Sequence, residues 1–308
     1  MAKLKALIFA GGALAGLSGG AFAADLLPPP PAIEPAPVAV AAPASEFGGG
    51  WYLRGDIGLG MSANTPSFQT TPNPLAGLPA DAYETFNNPS MSSFGLFDVG
   101  VGYQINDWLR ADITGEYRGG AHAQVLDLVG IPSANSQFAD FYRGDVSAFV
   151  GLVNGYVDVG TWYGVTPYIG AGAGVARNTF SGITDNGIAC GGAGCSPAGG
   201  FLANGTQTNF AWALMAGLGF NVTQNLKLDL GYRYLNMGKI GSGISNCLNG
   251  TGAGSGFSTA QCSGGGYKVA TTNTLATNDF RIGLRWMLND STPTYAPVSA
   301  PGPLVRKY

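Results

Sequence analysis

The 308-residue sequence contains little of three things that would each indicate a class of protein. It has one histidine, His122, so imidazole-based catalysis or zinc binding has few candidate groups. Its 15 Lys and Arg are outnumbered by 18 Asp and Glu, which excludes a basic nucleic-acid-binding surface. Beyond the amino-terminal segment, no uncharged apolar run approaches the roughly 18 residues that a membrane-spanning helix needs. If the chain lies in a membrane, it must span that membrane as a closed β-barrel.

The two ends of the chain are also poor in residues that could build a core. Two lysines and an apolar run precede Ala21-Phe22-Ala23, a pattern that predicts a secretory signal peptide over residues 1–23. Residues 24–48 are dominated by Pro and Ala and are expected to form an extended periplasmic linker. Residues 289–308 carry four prolines and are interpreted as a Pro-rich tail. A single folded domain is therefore predicted over residues 49–288.

What the sequence does contain is eight segments in which apolar and polar residues alternate with the period of two that is typical of a β-strand. The predicted strands are Trp51–Met61, Phe94–Ile105, Trp108–Arg118, Asp145–Gly160, Thr166–Arg177, Phe210–Val222, Leu226–Leu235 and Asp279–Leu288. The connections after the second, fourth and sixth strands are very short, whereas the other four are long and rich in Gly, Ser, Thr and Asn. This arrangement is typical of outer-membrane barrels. The predicted fold is therefore all-β, an eight-stranded antiparallel up-and-down transmembrane β-barrel.

The two faces of these strands differ in bulk and in charge. One face carries large apolar residues and no charged residue. The other carries glycines and seven cations against seven anions: Arg54, Asp56, Asp98, Arg110, Asp112, Glu116, Arg118, Asp158, Lys227, Asp229, Arg233, Asp279, Arg281 and Arg285. The interior of an eight-stranded barrel is only wide enough to be filled by side chains, so glycine and long charged side chains fit inside and the bulky face does not. The charged face is therefore predicted to line the lumen and the apolar face to contact outer-membrane lipid, whereas a lipocalin-like soluble barrel would need the opposite assignment.

Two details refine this assignment. Four of the five tryptophans lie at the short-turn end, where an aromatic girdle is expected: Trp51, Trp108, Trp162 and Trp286. In the fourth predicted strand, three small apolar residues share a face with Asn154 and Asp158. We expect a β-bulge near Gly151 or Gly155 to switch the register there.

Several strand sequences, among them "GWYLRGDIGLG", "VGVGYQINDWLRADITGEYR", "LGFNVTQNLKLDLGYRYLNMG" and "DFRIGLRWML", resemble those of a known family. The family is the small eight-stranded outer-membrane proteins of alphaproteobacteria, surface-antigen barrels related to OmpA-type domains. Over roughly residues 49–288 the resemblance implies outer-membrane residence, insertion by the barrel-assembly machinery, and roles in envelope integrity and host-surface contact. It further implies extracellular long loops, where a host or envelope ligand would bind, and periplasmic termini.

The same resemblance implies a terminal insertion signal. Its pattern of polar residue, glycine, aromatic and hydrophobic residue matches Arg281, Gly283, Trp286 and Leu288. The chain departs from the family pattern because its last strand ends in Leu288 rather than in a terminal Phe, and the tail follows it.

The four cysteines fall in two of the long connections, Cys190 and Cys195 after the fifth strand and Cys247 and Cys262 after the seventh. Export to an oxidising compartment and the even count favour disulfides. Three pairings are possible, and Cys190–Cys195 with Cys247–Cys262 is preferred because each bond stays within one connection. A zinc site is the rival interpretation, but it would need His122 from a different connection.

No residue pattern indicates an enzyme or a cofactor. His122, in "RGGAHAQV", is interpreted as a solvated loop residue, and the Gly-rich "IGAGAGVA" lacks the spacing of a dinucleotide-binding loop. Seven cations against seven anions favour a structural, surface-exposed barrel whose lumen is closed by paired charges. The alternative is a small porin-like channel for ions or small solutes, although open porins use about 16–18 strands.

Overall fold

The computed structural model describes residues 50–247 and 267–288. The strands are β1 (Trp51–Ser62), β2 (Phe68–Thr71), β3 (Tyr83–Met91), β4 (Phe94–Gln104), β5 (Leu109–Ile131), β6 (Ser136–Asp158), β7 (Val165–Gly191), β8 (Gly194–Leu202), β9 (Gly205–Asn221), β10 (Leu226–Asn236), β11 (Ser245–Cys247), β12 (Lys268–Thr271) and β13 (Ala276–Met287). A 3₁₀ turn, Pro132–Ala134, joins β5 to β6. Within these residues no helix is long and apolar enough to cross a membrane. The predicted signal peptide, linker and tail (1–23, 24–48 and 289–308) lie outside the described residues.

Eight strands close into a ring in the order β1, β4, β5, β6, β7, β9, β10 and β13. Every neighbouring pair is antiparallel, and the ring closes between β1 and β13, where Tyr52 lies opposite Met287 and Ser62 opposite Thr277. These eight strands are the predicted ones. The prediction of an eight-stranded up-and-down barrel is therefore confirmed.

Three ring strands, β5, β6 and β7, are much longer than predicted, because the long connections after the third and fifth predicted strands are β-hairpins rather than irregular loops. β5 continues past Arg118 to Ile131, and β7 continues past Arg177 to Gly191. In β5 the pairing with β6 skips Gly119 and Gly120, so the inward positions change from even to odd numbers at that bulge. The alternation continues beyond it in the shifted phase, which explains why one register along the strand does not detect the extension.

The expected bulge near Gly151 or Gly155 is wrong. Pairing between β5 and β6 runs without a break from Leu109 opposite Val157 to Arg118 opposite Ala148. Val146, Ala148 and Val150 point into the barrel along with Asn154 and Asp158. They do so because the inward side chains of this strand change from polar to apolar on going from Asn154 and Asp158 toward the long-hairpin end.

The interior therefore has two levels. On the long-hairpin side of the lumen charges lies an apolar layer of buried residues: Phe68, Phe94, Val146, Val150, Met237, Ile240, Val269 and Leu275. Some of these come from connections that fold inward between β1 and β4 and between β10 and β13. At this end β2 pairs with β12, so the first and last long connections are joined.

The outer surface of the ring is an apolar band. Its most exposed side chains include Leu53, Ile57, Leu59, Phe97, Ile113, Val153, Ile169, Phe210, Phe280 and Ile282. The four tryptophans near the short turns are each 55–56% exposed on this face. A strand needs about 10 residues to cross a membrane, and β5 and β6 have 23 each, so their hairpin extends well beyond the band.

Candidate functional site in the barrel lumen

The predicted inward charges do face the lumen. Thirteen of the fourteen are buried: Arg54, Asp56, Asp98, Arg110, Asp112, Glu116, Arg118, Asp158, Asp229, Arg233, Asp279, Arg281 and Arg285. Lys227 is the exception and is half-buried. The period-two alternation places them on one face, and ring closure brings strands distant in sequence close together.

The innermost cluster is a ring of four charges of alternating sign. Arg233 Nη2 lies 2.6 Å from Glu116 Oε2 and 2.7 Å from Asp279 Oδ2. Arg118 completes the ring, with its Nε 3.4 Å from Glu116 Oε1 and a contact to Asp279 Oδ1. Glu116 is on β5 and Arg233 on β10, which are four strands apart in either direction around the barrel. This four-charge ring therefore spans the lumen from wall to wall.

A second cluster is a chain of five charges nearer the short turns. Arg281 Nη2 lies 2.8 Å from Asp98 Oδ2 and 3.2 Å from Asp56 Oδ2. Arg54 donates from Nε and Nη2 to the two oxygens of Asp56, at 2.9 Å each, and from Nη1 to Asp112 Oδ2 at 2.9 Å. The chain holds three anions and two cations.

Two isolated pairs and one lysine complete the set. Arg110 Nε lies 3.1 Å from Asp158 Oδ1, and Arg285 Nη2 lies 3.0 Å from Asp229 Oδ1. Lys227 has no ion-pair partner within the described residues, and its positive charge offsets the extra anion of the five-charge chain. The lumen is therefore neutral as a whole.

Three inward tyrosines, Tyr52, Tyr156 and Tyr168, complete the filling and were not identified from the sequence. The Arg110 guanidinium carbon lies 4.0 Å from the ring centroid of Tyr156 and 4.7 Å from that of Tyr168. The terminal nitrogens of Arg110 have no hydrogen-bond partner among the described residues, so these aromatic faces provide their main contact. Tyr156 OH also accepts a hydrogen bond of 2.8 Å from Arg54 Nη1.

Glycine makes room for these rings. A Cβ atom at Gly102 would collide with the ring of Tyr52, and one at Gly217 would reach the hydroxyl end of Tyr168. The signal for the tyrosines was present in the sequence, because Tyr52 lies two residues before Arg54 and Tyr156 two before Asp158. Both therefore share the register of the charged face.

The remaining predicted residues lie elsewhere. In the insertion signal, Arg281 points inward, Gly283 packs against Asp56, and Trp286 and Leu288 are exposed on the outer band. Cys190 and Cys195 lie opposite each other at the end of the β7–β8 hairpin and form a disulfide with an S–S distance of 2.09 Å. The pairing Cys247–Cys262 involves a residue outside the described ones and stays a prediction.

The single histidine is on the outer face, away from the lumen. His122 Nδ1 lies 2.5 Å from Asp145 Oδ1 on the neighbouring strand, and both side chains are more than half exposed. Among residues 50–247 and 267–288, no three His, Cys, Asp or Glu side chains are arranged to hold a metal ion.

Comparison with known proteins agrees with this geometry. The family model described as "Outer membrane protein beta-barrel domain" matches residues 36–287. The chain belongs to this family. A protein of Brucella abortus is 32% identical over 277 residues, covering 85% of this chain and 93% of the relative. A Rickettsia felis protein named "Putative adhesin" is 26% identical over 203 residues, 64% of this chain and 76% of that one. The crystal structure of Neisserial surface protein A covers 78% of this chain and 98% of its own, with 18% identity and a TM-score of 0.34.

Family membership decides between the two assignments of the strand faces. The chain is an outer-membrane β-barrel, so the apolar band contacts outer-membrane lipid and the charged face lines the lumen. The resemblance to small outer-membrane barrels of alphaproteobacteria is confirmed, and the lipocalin-like alternative is excluded.

Proposed function

We propose that this barrel is a structural and surface-exposed protein of the outer membrane whose lumen is closed by paired charges. The single observation that carries the proposal is the contact between Arg233 and Glu116. It joins opposite walls of the barrel at 2.6 Å. We expect this contact to leave no passage for an ion between them. Arg118 and Asp279 fill the other two positions of the same cross-section.

Packing above and below the four-charge ring supports closure. On the long-hairpin side, the buried Met237 places its Sδ 3.6 Å from Arg118 Nη1, so the apolar layer rests directly on the charged ring. On the short-turn side, Tyr156 and Tyr168 lie with their ring centroids 5.8 Å apart and pack against Arg110. An ion would have to pass three successive obstructions that differ in chemistry.

Electrostatics favour closure as well. Buried charges are tolerated when they are paired and hydrogen-bonded, and the pairs here hold their partners in fixed positions. Conduction would require those pairs to break, with a cost of several kcal/mol for each charge left alone in a confined site. A lumen of this kind stabilises the barrel and does not transport solutes.

The second candidate function is a small ion channel. The observation that favours it is the polar short-turn end, where Lys227 has no ion-pair partner and Arg285 Nη1 has no hydrogen-bond partner among the described residues. A path that begins there would still have to pass the four-charge ring. Blockage at one level is sufficient to stop conduction, so this candidate ranks second.

Conductance in planar bilayers tests the two candidates. The refolded barrel is expected to be silent, whereas the double variant Glu116→Ala/Arg233→Ala, which preserves net charge but removes the wall-to-wall contact, should show discrete currents. Arg177→Ala, at an exposed site on β7, is the matched control and should remain silent. Steady large currents through the unmodified barrel would establish the channel instead.

Surface contact and orientation belong to the same proposal. We place the long hairpins outside the cell, where they extend well beyond the lipid and are available to a host or envelope ligand, and both termini in the periplasm. The name of the Rickettsia felis relative, "Putative adhesin", is consistent with a surface role. An engineered cysteine at Ser133, in the β5–β6 turn, should react with a membrane-impermeant maleimide on intact cells; one at Asp107, in a short turn, should not. The reverse pattern would contradict this orientation.

The same proposal includes the processing of the chain, its insertion into the membrane and a role without catalysis. We expect cleavage after Ala23 and insertion by the barrel-assembly machinery through the segment containing Gly283 and Trp286. We propose no catalytic activity and no cofactor, since the one imidazole lies on the outer face. Amino-terminal sequencing of protein from purified outer membranes should begin at Ala24, and an intact Met1 would refute the cleavage.

A further inference from the structure

A short two-stranded sheet crosses the mouth of the barrel. β2 pairs with β12 from Phe68 opposite Thr271 to Thr71 opposite Lys268. We call this pair the strap. Thr272 N donates to Ser67 O at 2.7 Å, which fastens its end. The strap arises from the connections beside β1, β10 and β13, and its inward side chains Phe68 and Val269 belong to the apolar layer.

The strap face that carries Phe68 and Val269 also carries Thr70. This face lies against four acidic residues on the inner face of the protruding strands. These residues, the carboxylate row, are Glu84 on β3, Asp127 on β5, Asp140 on β6 and Asp185 on β7. Asp127 lies opposite Asp140 in the sheet, and Asp140 lies opposite Gly187, two residues from Asp185. Asp127 is 3% exposed and Asp185 7% exposed, so these carboxyls are taken out of water.

In the part of the chain that the structure describes, no cation compensates the carboxylate row. Within the described residues none of its members forms an ion pair with Lys or Arg, and residues 248–266 contain no charged residue. Lys268 is exposed while the next residue of β12, Val269, is buried, and Arg143 is exposed while Tyr142 is buried, so neither cation faces the row. Apart from the four acids themselves, the described titratable groups that face it are the hydroxyls of Tyr142 and Tyr267.

Both halves of the strap contact the row. Tyr267, the residue before β12, donates its hydroxyl to Asp185 Oδ2 at 2.6 Å and packs edge-on against Tyr142. The other half of the strap, β2, lies beside β3, and three buried oxygens there have no hydrogen-bond partner among the described residues: Thr70 Oγ1, Glu84 Oε1 and Asp127 Oδ1. The strap therefore reaches from the β1 side of the mouth to the β5–β7 side and is anchored there on uncompensated acids.

We infer that the strap is an acid-stabilised cover of the barrel mouth, held in place while the carboxylate row is protonated and released when the row ionises. Four anions along adjacent strands, beneath a cover that supplies hydroxyls but no cation, repel one another and attract water. Neutral carboxyls can share hydrogen bonds instead. This inference goes beyond the proposed function, because it concerns access to the mouth and holds whether or not the lumen conducts.

The titration of the row gives the pH range. Burial, together with repulsion from Glu84, Asp140 and Asp185, raises the pKa of Asp127 to about 8. Burial and repulsion from Asp185 raise the pKa of Asp140 to about 7, and burial raises the pKa of Glu84 and of Asp185. A carboxyl whose pKa is raised in the closed state stabilises that state at low pH and loses this contribution as the pH rises through the raised value. Release is therefore expected between about pH 7 and 8.

Hydrogen exchange of the full chain, folded in detergent micelles with a chelator present, tests the inference. After correction for the intrinsic pH dependence of exchange, amides of Phe68–Thr71 and Lys268–Thr271 should lose at least about tenfold protection between pH 5.5 and 8.5. Amides of β1 and β13 in the same digest should keep theirs, which shows that the barrel remains folded. Equal strap protection at both pH values would overturn the inference.

Substitutions in the carboxylate row test whether its acids cause the pH-dependent loss of strap protection. Asp127→Asn, which imitates the protonated acid, should keep the strap protected at pH 8.5, and Asp140→Asn, at a less buried site, serves if the first variant fails to fold. Asp81→Asn is the matched control, because hydrogen bonds from Ser133 lower the pKa of that exposed acid and keep it ionised throughout the range. In Asp81→Asn, the strap amides should lose protection between pH 5.5 and 8.5 as they do in the unmodified protein. Loss of the pH response in Asp81→Asn, or its persistence in both row variants, would contradict the assignment.

Discussion

Two groups of buried carboxylates in this molecule differ in what offsets their negative charge. Asp56, Asp229 and Asp279 in the lumen each contact an arginine at hydrogen-bonding distance. Asp127 and Asp185 beside the strap contact no cation within residues 50–247 and 267–288. Inside the lipid-embedded barrel, guanidinium groups that remain protonated lie beside these acids. At the mouth, water is nearby and a proton can supply the compensation, so the balance there depends on pH.

The largest expected effect comes from breaking compensation in the lumen. Arg233→Ala would remove the shortest ion-pair contact of Glu116 and one of the two arginine contacts of Asp279, and it would leave two anions facing only Arg118 in a buried site. We expect the free energy of unfolding to fall by about 3–5 kcal/mol, because an unpaired buried charge keeps its full desolvation cost. Urea titration of the refolded barrel measures the change. Arg177 is an exposed arginine on β7, and Arg177→Ala should change the free energy of unfolding by less than about 0.5 kcal/mol. Equal effects of the two substitutions would show that the lumen ion pairs contribute no more to stability than an exposed charge does.

One chemical change made in both regions sharpens the comparison. Asp229→Asn removes the negative charge facing Arg285 and should lower the free energy of unfolding by about 1–3 kcal/mol. Asp127→Asn removes a charge that has no cationic partner among the described residues, and it should raise the free energy of unfolding at pH 8.5 by about 1–3 kcal/mol. At pH 5, where Asp127 is already protonated in the folded state, the gain should be small. The measurement is the difference in unfolding midpoint at the two pH values, and the same sign for both variants at pH 8.5 would refute the distinction.

The sequence predicts the lumen better than the mouth, for a physical reason. In β10 and β13 the alternation is unbroken, so Arg233 and Asp279 could be assigned to the inner face by counting residues in twos. Beyond Gly119 and Gly120 the phase shifts, and the inward Asp127 falls on a register that the first half of β5 does not continue. The strap is harder still, because each of its strands has four residues and its partner lies about 200 residues away in the sequence. A pairing of that kind is set by tertiary packing and leaves no local pattern.

A smaller effect is expected from the glycine that accommodates a lumen tyrosine. In Gly102→Ala the new methyl group would collide with the ring of Tyr52, whose hydroxyl donates to Asp112 Oδ2 at 3.0 Å. The ring can shift only by disturbing that hydrogen bond, so we expect a loss of about 1–2 kcal/mol. Gly115→Ala on the next strand is the matched control, because a Cβ there meets no atom within 4 Å. Equal losses in urea titration would mean that the collision does not matter.

The smallest expected effect on the barrel comes from the disulfide at the end of the β7–β8 hairpin. Cys190 and Cys195 are five residues apart and lie directly opposite each other, so their bond closes a short loop and removes little entropy from the unfolded chain. Cys190→Ser/Cys195→Ser should therefore lower the free energy of unfolding by about 2 kcal/mol or less. Hydrogen exchange should show faster exchange at the hairpin tip and unchanged protection in β1, β10 and β13, because the ring closes through pairings that do not involve the tip. Loss of protection in the ring strands would mean that the protruding hairpins help to hold the barrel closed, and the two regions could no longer be treated as independent.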